Sequence, residues 1–246
     1  MAPKDRATIE GFDPRGVRFL PKNGNVRSGV NVDETASAVG YHFCLEEEFF
    51  LATPFYRLIR GFLRLVLPIW VRVDSEGLDR LPAGGPFLLC PNHLSVLDPP
   101  LLAAMIARPI TFLAAGYLFE IPVLGTILRW AGVLPLGGPV QSRRSLAEAT
   151  RVLEAGGTVA LFPEGGVRRA VAERLEKGAG FLAVRTGSPL YPVLIRGTDR
   201  ILPTGRYLPR RGHVRVVVGE PIRGVPGSTS RDLVEELAAS LQNLAR

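Results

Sequence analysis

The sequence predicts an α/β fold, a β-sheet covered on both faces by helices. Three observations carry this. Short β-rich runs alternate with helical ones along most of the 246 residues, as in sheets packed between helical layers. Hydrophobic residues make up 46% of the chain and charged ones 22%, enough for the core of one large domain or two small ones and too apolar for general disorder. No repeat or low-complexity tract interrupts the alternation.

Residues 1–45 are polar, rich in Gly and Asn, and without sustained period. They read as a flexible N-terminal extension, and the first residues lack the apolar run of a secretory signal. Residues 46–72 crowd apolar residues around Arg57, Arg60 and Arg64. No uncharged stretch there approaches the ~20 residues of a spanning helix. The arginines recur at i, i+3 and i+7, so one helical face is expected to be basic. Phe55, Leu58, Phe62, Leu63 and Leu65 occupy the rest, the pattern of a helix lying in a membrane interface; the plainer alternative is a surface helix packed on the domain.

Residues 73–246 then form the main domain. Its strands, with the run just before it, are expected at 70–74, 86–90, 110–114, 133–136, 158–162, 191–196 and 214–218. Helices are expected at 99–107, 117–130, 142–155, 178–186 and 229–245. Thr229 and Asp232 make a capping-box pattern for the last helix, and Leu233, Val234, Leu237, Ala238, Leu241 and Leu244 its apolar stripe. Residues 109–140 are apolar apart from Glu120 and Arg129, but Pro122, Gly125, Gly132 and Pro135 argue against one spanning helix.

The net charge of +7 and a pI near 10.0 point to an anionic partner. An acidic membrane surface or a phosphorylated ligand fits better than nucleic acid, because arginines adjoin apolar segments. The two cysteines, Cys44 and Cys90, make no disulfide framework, and no Cys/His spacing suggests a metal site. A reducing, cytosolic setting follows.

The chemistry concentrates in LLCPNHLSVLDPPLL, residues 88–102. Asp98 precedes two prolines and is placed to cap the helix they open. His93 follows a strand at its C-terminal end, where open α/β sheets place ligands. On one helix residues five apart are offset by about 140°, so contact between His93 and Asp98 needs a loop leading into a helix start. In that geometry Asp98 fixes one imidazole nitrogen and the other faces a cleft as general base. The alternative is a helix cap and an ordinary loop histidine. No GxSxG elbow exists, and Ser95 is too close in the chain to be an evident nucleophile.

Further residues carry a family resemblance. Asn92, His93 and Asp98 fit the NHxxxxD block of the glycerolipid acyltransferases, the family of lysophosphatidic acid acyltransferase. Phe162, Pro163, Glu164 and Gly165 resemble its FPEG block, and Lys177, Gly178 and Pro192 its later blocks, in the same order over roughly residues 55–220. The resemblance implies a mixed, mostly parallel sheet flanked by helices, with a membrane-meeting N-terminal helix before a catalytic domain at 73–246. It implies acyl transfer from acyl-CoA or acyl carrier protein, as co-substrate and without a cofactor or metal, to a lipid hydroxyl. His93 and Asp98 are then catalytic. Asn92, Glu164, Gly165, Gly166, Arg168, Arg169 and Lys177 are the substrate-binding set. Glu164 either organises the acceptor or pairs with an arginine. Gly165 and Gly166 either form an anion-binding nest or a tight turn. The implied place is the cytoplasmic face of the membrane, as a peripheral protein.

Positive charge departs from the family pattern. Gly138 stands where an arginine for the acceptor phosphate is expected, and Ala115 and Gly116 stand where a lysine is common. Either Arg168, Arg169 or Arg143 supplies that charge from another angle, or the acceptor is less charged, such as another lysolipid, a glycolipid or an aminolipid. The cluster Arg206, Arg210, Arg211 and Arg215 lacks aromatic interleaving and any nucleic-acid motif. It is expected to face lipid headgroups or CoA phosphates.

Overall fold

Among the described residues, seven strands form one sheet: β1 (Val71–Glu76), β2 (Phe87–Pro91), β3 (Thr111–Ala115), β4 (Leu134–Leu136), β5 (Thr158–Ala160), β6 (Leu190–Arg196) and β7 (Gly212–Val218). The computed structural model describes residues 45–167, 171–172, 175–206 and 208–246, with side chains from residue 55 onward. The extension expected over 1–45, with Cys44, therefore lies outside the described residues except for Leu45. The strand order is β1-β7-β6-β2-β5-β3-β4. Every pairing of these strands is parallel except β6 with β7, which is antiparallel. The sheet is thus mixed and mostly parallel.

The helices are α1 (Leu45–Val66), α2 (Asp98–Met105), α3 (Leu124–Trp130), α4 (Pro139–Glu154), α5 (Gly178–Thr186), α6 (Thr198–Ile201) and α7 (Ser230–Leu244). Among the described residues, no helix is long and apolar enough to cross a membrane. At the centre, β2 is fully buried, because helices cover both of its faces. Phe87 and Leu89 join the core beneath α1 and α2, with Val193, Ile195, Val214 and Val216. Leu88 and Cys90 point the other way, toward Leu153 of α4, Leu182 of α5 and Leu237 of α7. Burying a leucine at such a position is worth about 1.5–3 kcal/mol.

Three expectations change. The helix expected at 117–130 breaks into a short 3₁₀ turn at Gly116–Glu120 and α3. Pro122 and the left-handed Val123 (φ 65°) separate them, so helical periodicity survives while the backbone turns. The segment expected to be helical over 46–72 leaves the helix at Val66, and residues 71–72 already belong to β1. Its basic face is also not free. Arg60 Nη1 donates to Ala107 O at 2.6 Å, and Arg64 Nε to Ala104 O at 2.7 Å. The Arg64 guanidinium thus meets a carbonyl of the last turn of α2, where helical partners are lacking, and that of Arg60 a carbonyl just beyond the helix. What α1 and the turn after it face outward is largely apolar, with Leu58, Phe62, Leu65 and Ile69 all at least half exposed, while Arg57 also stays exposed on that helix.

Candidate active site

The site grows from the C-terminal end of β2. The ladder between β2 and β6 ends with Asn92 N donating to Val193 O at 3.2 Å. The Asn92 side chain then continues it. Its Nδ2 donates to Ile195 O at 3.0 Å, and its Oδ1 accepts Ile195 N–H at 2.7 Å. A carboxamide offers one donor end and one acceptor end, as a peptide unit does, so asparagine extends a sheet where the main chain has turned away. Expected among the substrate-binding residues, Asn92 is fully buried with both ends of its amide engaged. In this structure it is a strut that fixes the departure of the loop.

His93 follows at once. Its Nδ1 lies 2.9 Å from Asp98 Oδ2. The same oxygen accepts Leu94 N–H at 2.7 Å and Ser95 N–H at 2.8 Å. The carboxylate therefore gathers the whole loop around itself. The expected cap of α2 is corrected here: Asp98 is the first residue of that helix, and its side chain turns back to the preceding loop. The reason lies in the next two residues. Pro99 and Pro100 carry no N–H, so the helix start presents nothing there for a capping oxygen to accept. The prolines leave the carboxylate to the histidine.

Asp98 is fully buried and the His93 side chain is 16% exposed, so the ring is held by a shielded acid and opens on one side. Phe162 packs on it with ring centroids 4.2 Å apart and planes at 32°. Glu164 reaches in from the turn after β5. Its Oε2 accepts the backbone N–H of His93 at 3.0 Å, and its Oε1 that of Ala172 at 2.9 Å. The two motif regions, 71 residues apart, thus meet through main chain and carboxylate. The motif alone puts Glu164 at the acceptor or beside an arginine; its hold on His93 is invisible there, because no local pattern encodes it.

Neither neighbouring sulfur nor hydroxyl is set up as a nucleophile. Ser95 Oγ is buried, donates to Leu202 O at 2.8 Å and accepts Leu97 N–H. Cys90 is fully buried, and burial pushes its thiol well above the usual range.

The remaining expected residues divide. Gly165 adopts φ 68° and its N–H bonds Phe162 O at 3.2 Å, a tight turn that carries Glu164. Gly166 follows in that turn. Glu176 N–H returns to Pro163 O at 2.6 Å and closes this loop. Lys177 stands exposed immediately before α5. Arg168 and Arg169 lie outside the described residues. Gly138 stands at the start of α4, exposed, with φ −58°, and a Cβ added there would have nothing within 4 Å.

A model of the acyltransferase family matches residues 72–196, a stretch that contains His93, Asp98 and Glu164. The chloroplastic 1-acyl-sn-glycerol-3-phosphate acyltransferase BAT2 of Brassica napus is 31% identical over 205 residues, covering 77% of this chain and 59% of its own. The chloroplastic LPAT1 of Arabidopsis thaliana, of the same designation, is 31% identical over 180 residues, covering 67% of this chain and 50% of its own. The chain thus spans between half and three-fifths of the length of these relatives. The crystal structure of the 1-acyl-sn-glycerophosphate acyltransferase PlsC from Thermotoga maritima matches with a TM-score of 0.62 and 25% identity, over 80% of this chain and 78% of that one. Since the family model spans half of the sequence and both sequence and fold lead to the same relatives, the chain belongs to the PlsC-like glycerolipid acyltransferases.

Proposed function

We propose that this protein moves a fatty acyl group from a thioester, acyl-CoA or acyl carrier protein, to the hydroxyl of a lysophospholipid-type acceptor. The observation that carries the reading is the 2.9 Å approach of His93 Nδ1 to the buried carboxylate of Asp98. With Nδ1–H donated to Asp98, Nε2 holds the free lone pair. It takes the proton of the acceptor hydroxyl as the oxygen attacks the thioester carbonyl carbon. The C–S bond of the tetrahedral intermediate then breaks, and Nε2 returns the proton to the departing thiolate. The Asp98 carboxylate stabilises the imidazolium between these steps. Oxyanion stabilisation is left to N–H donors or a cation at the mouth of the site.

The exposed row on α1 supports peripheral attachment to a membrane, where such an acceptor resides, and the charge of +7 suits the anionic cytoplasmic leaflet. The open Gly138 position favours an acceptor other than a phosphomonoester as a second reading, a glycolipid or aminolipid. The deciding experiment incubates purified protein with labelled acyl-CoA or acyl carrier protein and a mixed lysolipid panel, with products read by mass spectrometry. An acylated lysolipid is expected, lost in His93→Ala. Unchanged turnover in that variant removes the mechanism. Vesicle binding without any product makes the protein a lipid-binding homologue.

A further inference from the structure

The outward row of α1 and the turn after it follows helical spacing, with Leu58, Phe62, Leu65 and Ile69 exposed by 69%, 62%, 77% and 50%. Arg60 and Arg64, which share the helix, are turned onto the end of α2 and the chain just beyond it. An interfacial apolar row ordinarily has cations beside it; α1 itself leaves Arg57 exposed, and a denser group of cations lies on another element. The segment between β6 and β7, residues 197–211, carries four arginines against one aspartate.

That segment is fastened to the core on which α1 packs. It leaves β6 at Gly197, whose φ of 97° and contact with His213 O leave no room for a side chain. Ile201 and Leu202 join the same core as Leu63, Leu67 and Trp70. Gly212 N–H donates to Trp70 O at 2.9 Å, at the turn that follows α1. Arg200, Arg206, Arg210 and Arg211 remain exposed. Among them Leu208 is 82% exposed. The segment also reaches the site, since Ser95 Oγ donates to Leu202 O at 2.8 Å and the adjacent Val96 is 66% exposed.

We infer that the β6–β7 segment is the protein's contact with anionic lipid. Arg206, Arg210 and Arg211 bind headgroup phosphates of the bilayer on which α1 lies, and Leu208 enters the acyl boundary between them. An acidic carrier protein offers matching charge, but it leaves the α1 row uncovered, whereas a bilayer takes up both. The inference rests on the reading that α1 faces a membrane.

The test is co-sedimentation of the full chain with vesicles of phosphatidylcholine alone and of phosphatidylcholine mixed with phosphatidylglycerol. Wild type is expected to prefer the mixed vesicles. R206Q/R210Q/R211Q loses that preference, on the order of a hundredfold in partitioning at about fivefold per cation near an anionic surface. Its thermal melt and its binding to neutral vesicles stay as in wild type. A charge-matched control, R185Q/R196Q/R223Q, keeps the preference. Equal binding of wild type to both vesicles overturns this inference and leaves the membrane reading standing. Binding to neither overturns both. A triple variant that keeps its preference, or loses only turnover with a carrier-bound donor, assigns these arginines to another partner and also overturns the inference.

Discussion

Glu164 Oε2 accepts the backbone N–H of His93 at 3.0 Å, so the carboxylate of one motif holds the main chain of the other. Glu164 is 2% exposed, and its Oε1 holds Ala172 N–H as well. A carboxylate so buried persists because charge-assisted bonds replace its water. Glu164→Gln brings an NH₂ group against one of those two N–H donors. A buried donor left without a partner costs about 1–3 kcal/mol. We expect a lower melting temperature and kcat reduced ~10-fold or more as the His93 loop loosens, with acceptor KM little changed. A rise in acceptor KM alone would place Glu164 in substrate binding instead.

Asp98 Oδ2 collects three donors, His93 Nδ1 and the N–H groups of Leu94 and Ser95. Its loop-holding and catalytic duties separate on substitution. Asp98→Asn keeps a carbonyl oxygen for the loop but removes the charge that favours the imidazolium, so kcat should fall about 10²–10⁴-fold with a small change in melting temperature. Asp98→Ala strands both N–H groups and should also lower stability, by about 1–3 kcal/mol for each. Steady-state kinetics and thermal melts of the two variants, side by side, check this. An Asn variant with wild-type kcat sinks the catalytic role.

Arg60 and Arg64 bind Ala107 O and Ala104 O. Burial, with Arg64 nearby, pushes the Arg60 guanidinium below its ordinary value, although it stays charged at any physiological pH. Their loss should therefore read out in folding. Arg64→Gln is expected to lower stability by about 1 kcal/mol, the scale of a partly exposed hydrogen bond at a helix C-terminus. Its partitioning onto anionic vesicles should match wild type. A loss of vesicle binding without a loss of stability would return Arg64 to the membrane face.

The sheet is readable because each central strand is a short apolar run cut off by Gly or Pro, and FLLCP in β2 is buried on both faces. The spacing of His93 and Asp98 leaves two readings open, a pair or a helix cap beside an ordinary loop histidine, and it is the FPEG-like and later blocks, in order downstream, that favour the pair. Periodicity also puts Arg57, Arg60 and Arg64 together on one face of a helix. It says nothing of what that face meets, and the carbonyls of Ala104 and Ala107 that take Arg64 and Arg60 lie 40 and 47 residues away. Asn92 is unreadable for the same reason, since its partner Ile195 is 103 residues distant. Local pattern encodes which side chains share a surface; the partner across the gap is set by the fold of the whole sheet.

Gly138 is a position where the expected phosphate-binding side chain can be restored without strain. Its φ of −58° and ψ of 174° suit any residue, it is exposed before α4, and a Cβ there meets nothing within 4 Å. Gly138→Arg should fold as wild type. If the acceptor's headgroup lies at this helix start, the new guanidinium gains a charge-assisted contact with a phosphomonoester worth about 1.5–3 kcal/mol. That corresponds to ~10–100-fold in kcat/KM for lysophosphatidic acid, carried by KM because the phosphate is held equally in ground and transition states. Turnover of an uncharged-headgroup acceptor should not rise. The check is the ratio of kcat/KM for the two acceptors in wild type and variant. An unchanged ratio means that the headgroup lies elsewhere, and would direct attention to Lys177 at the start of α5 and Arg143 on α4 as the cations that hold it.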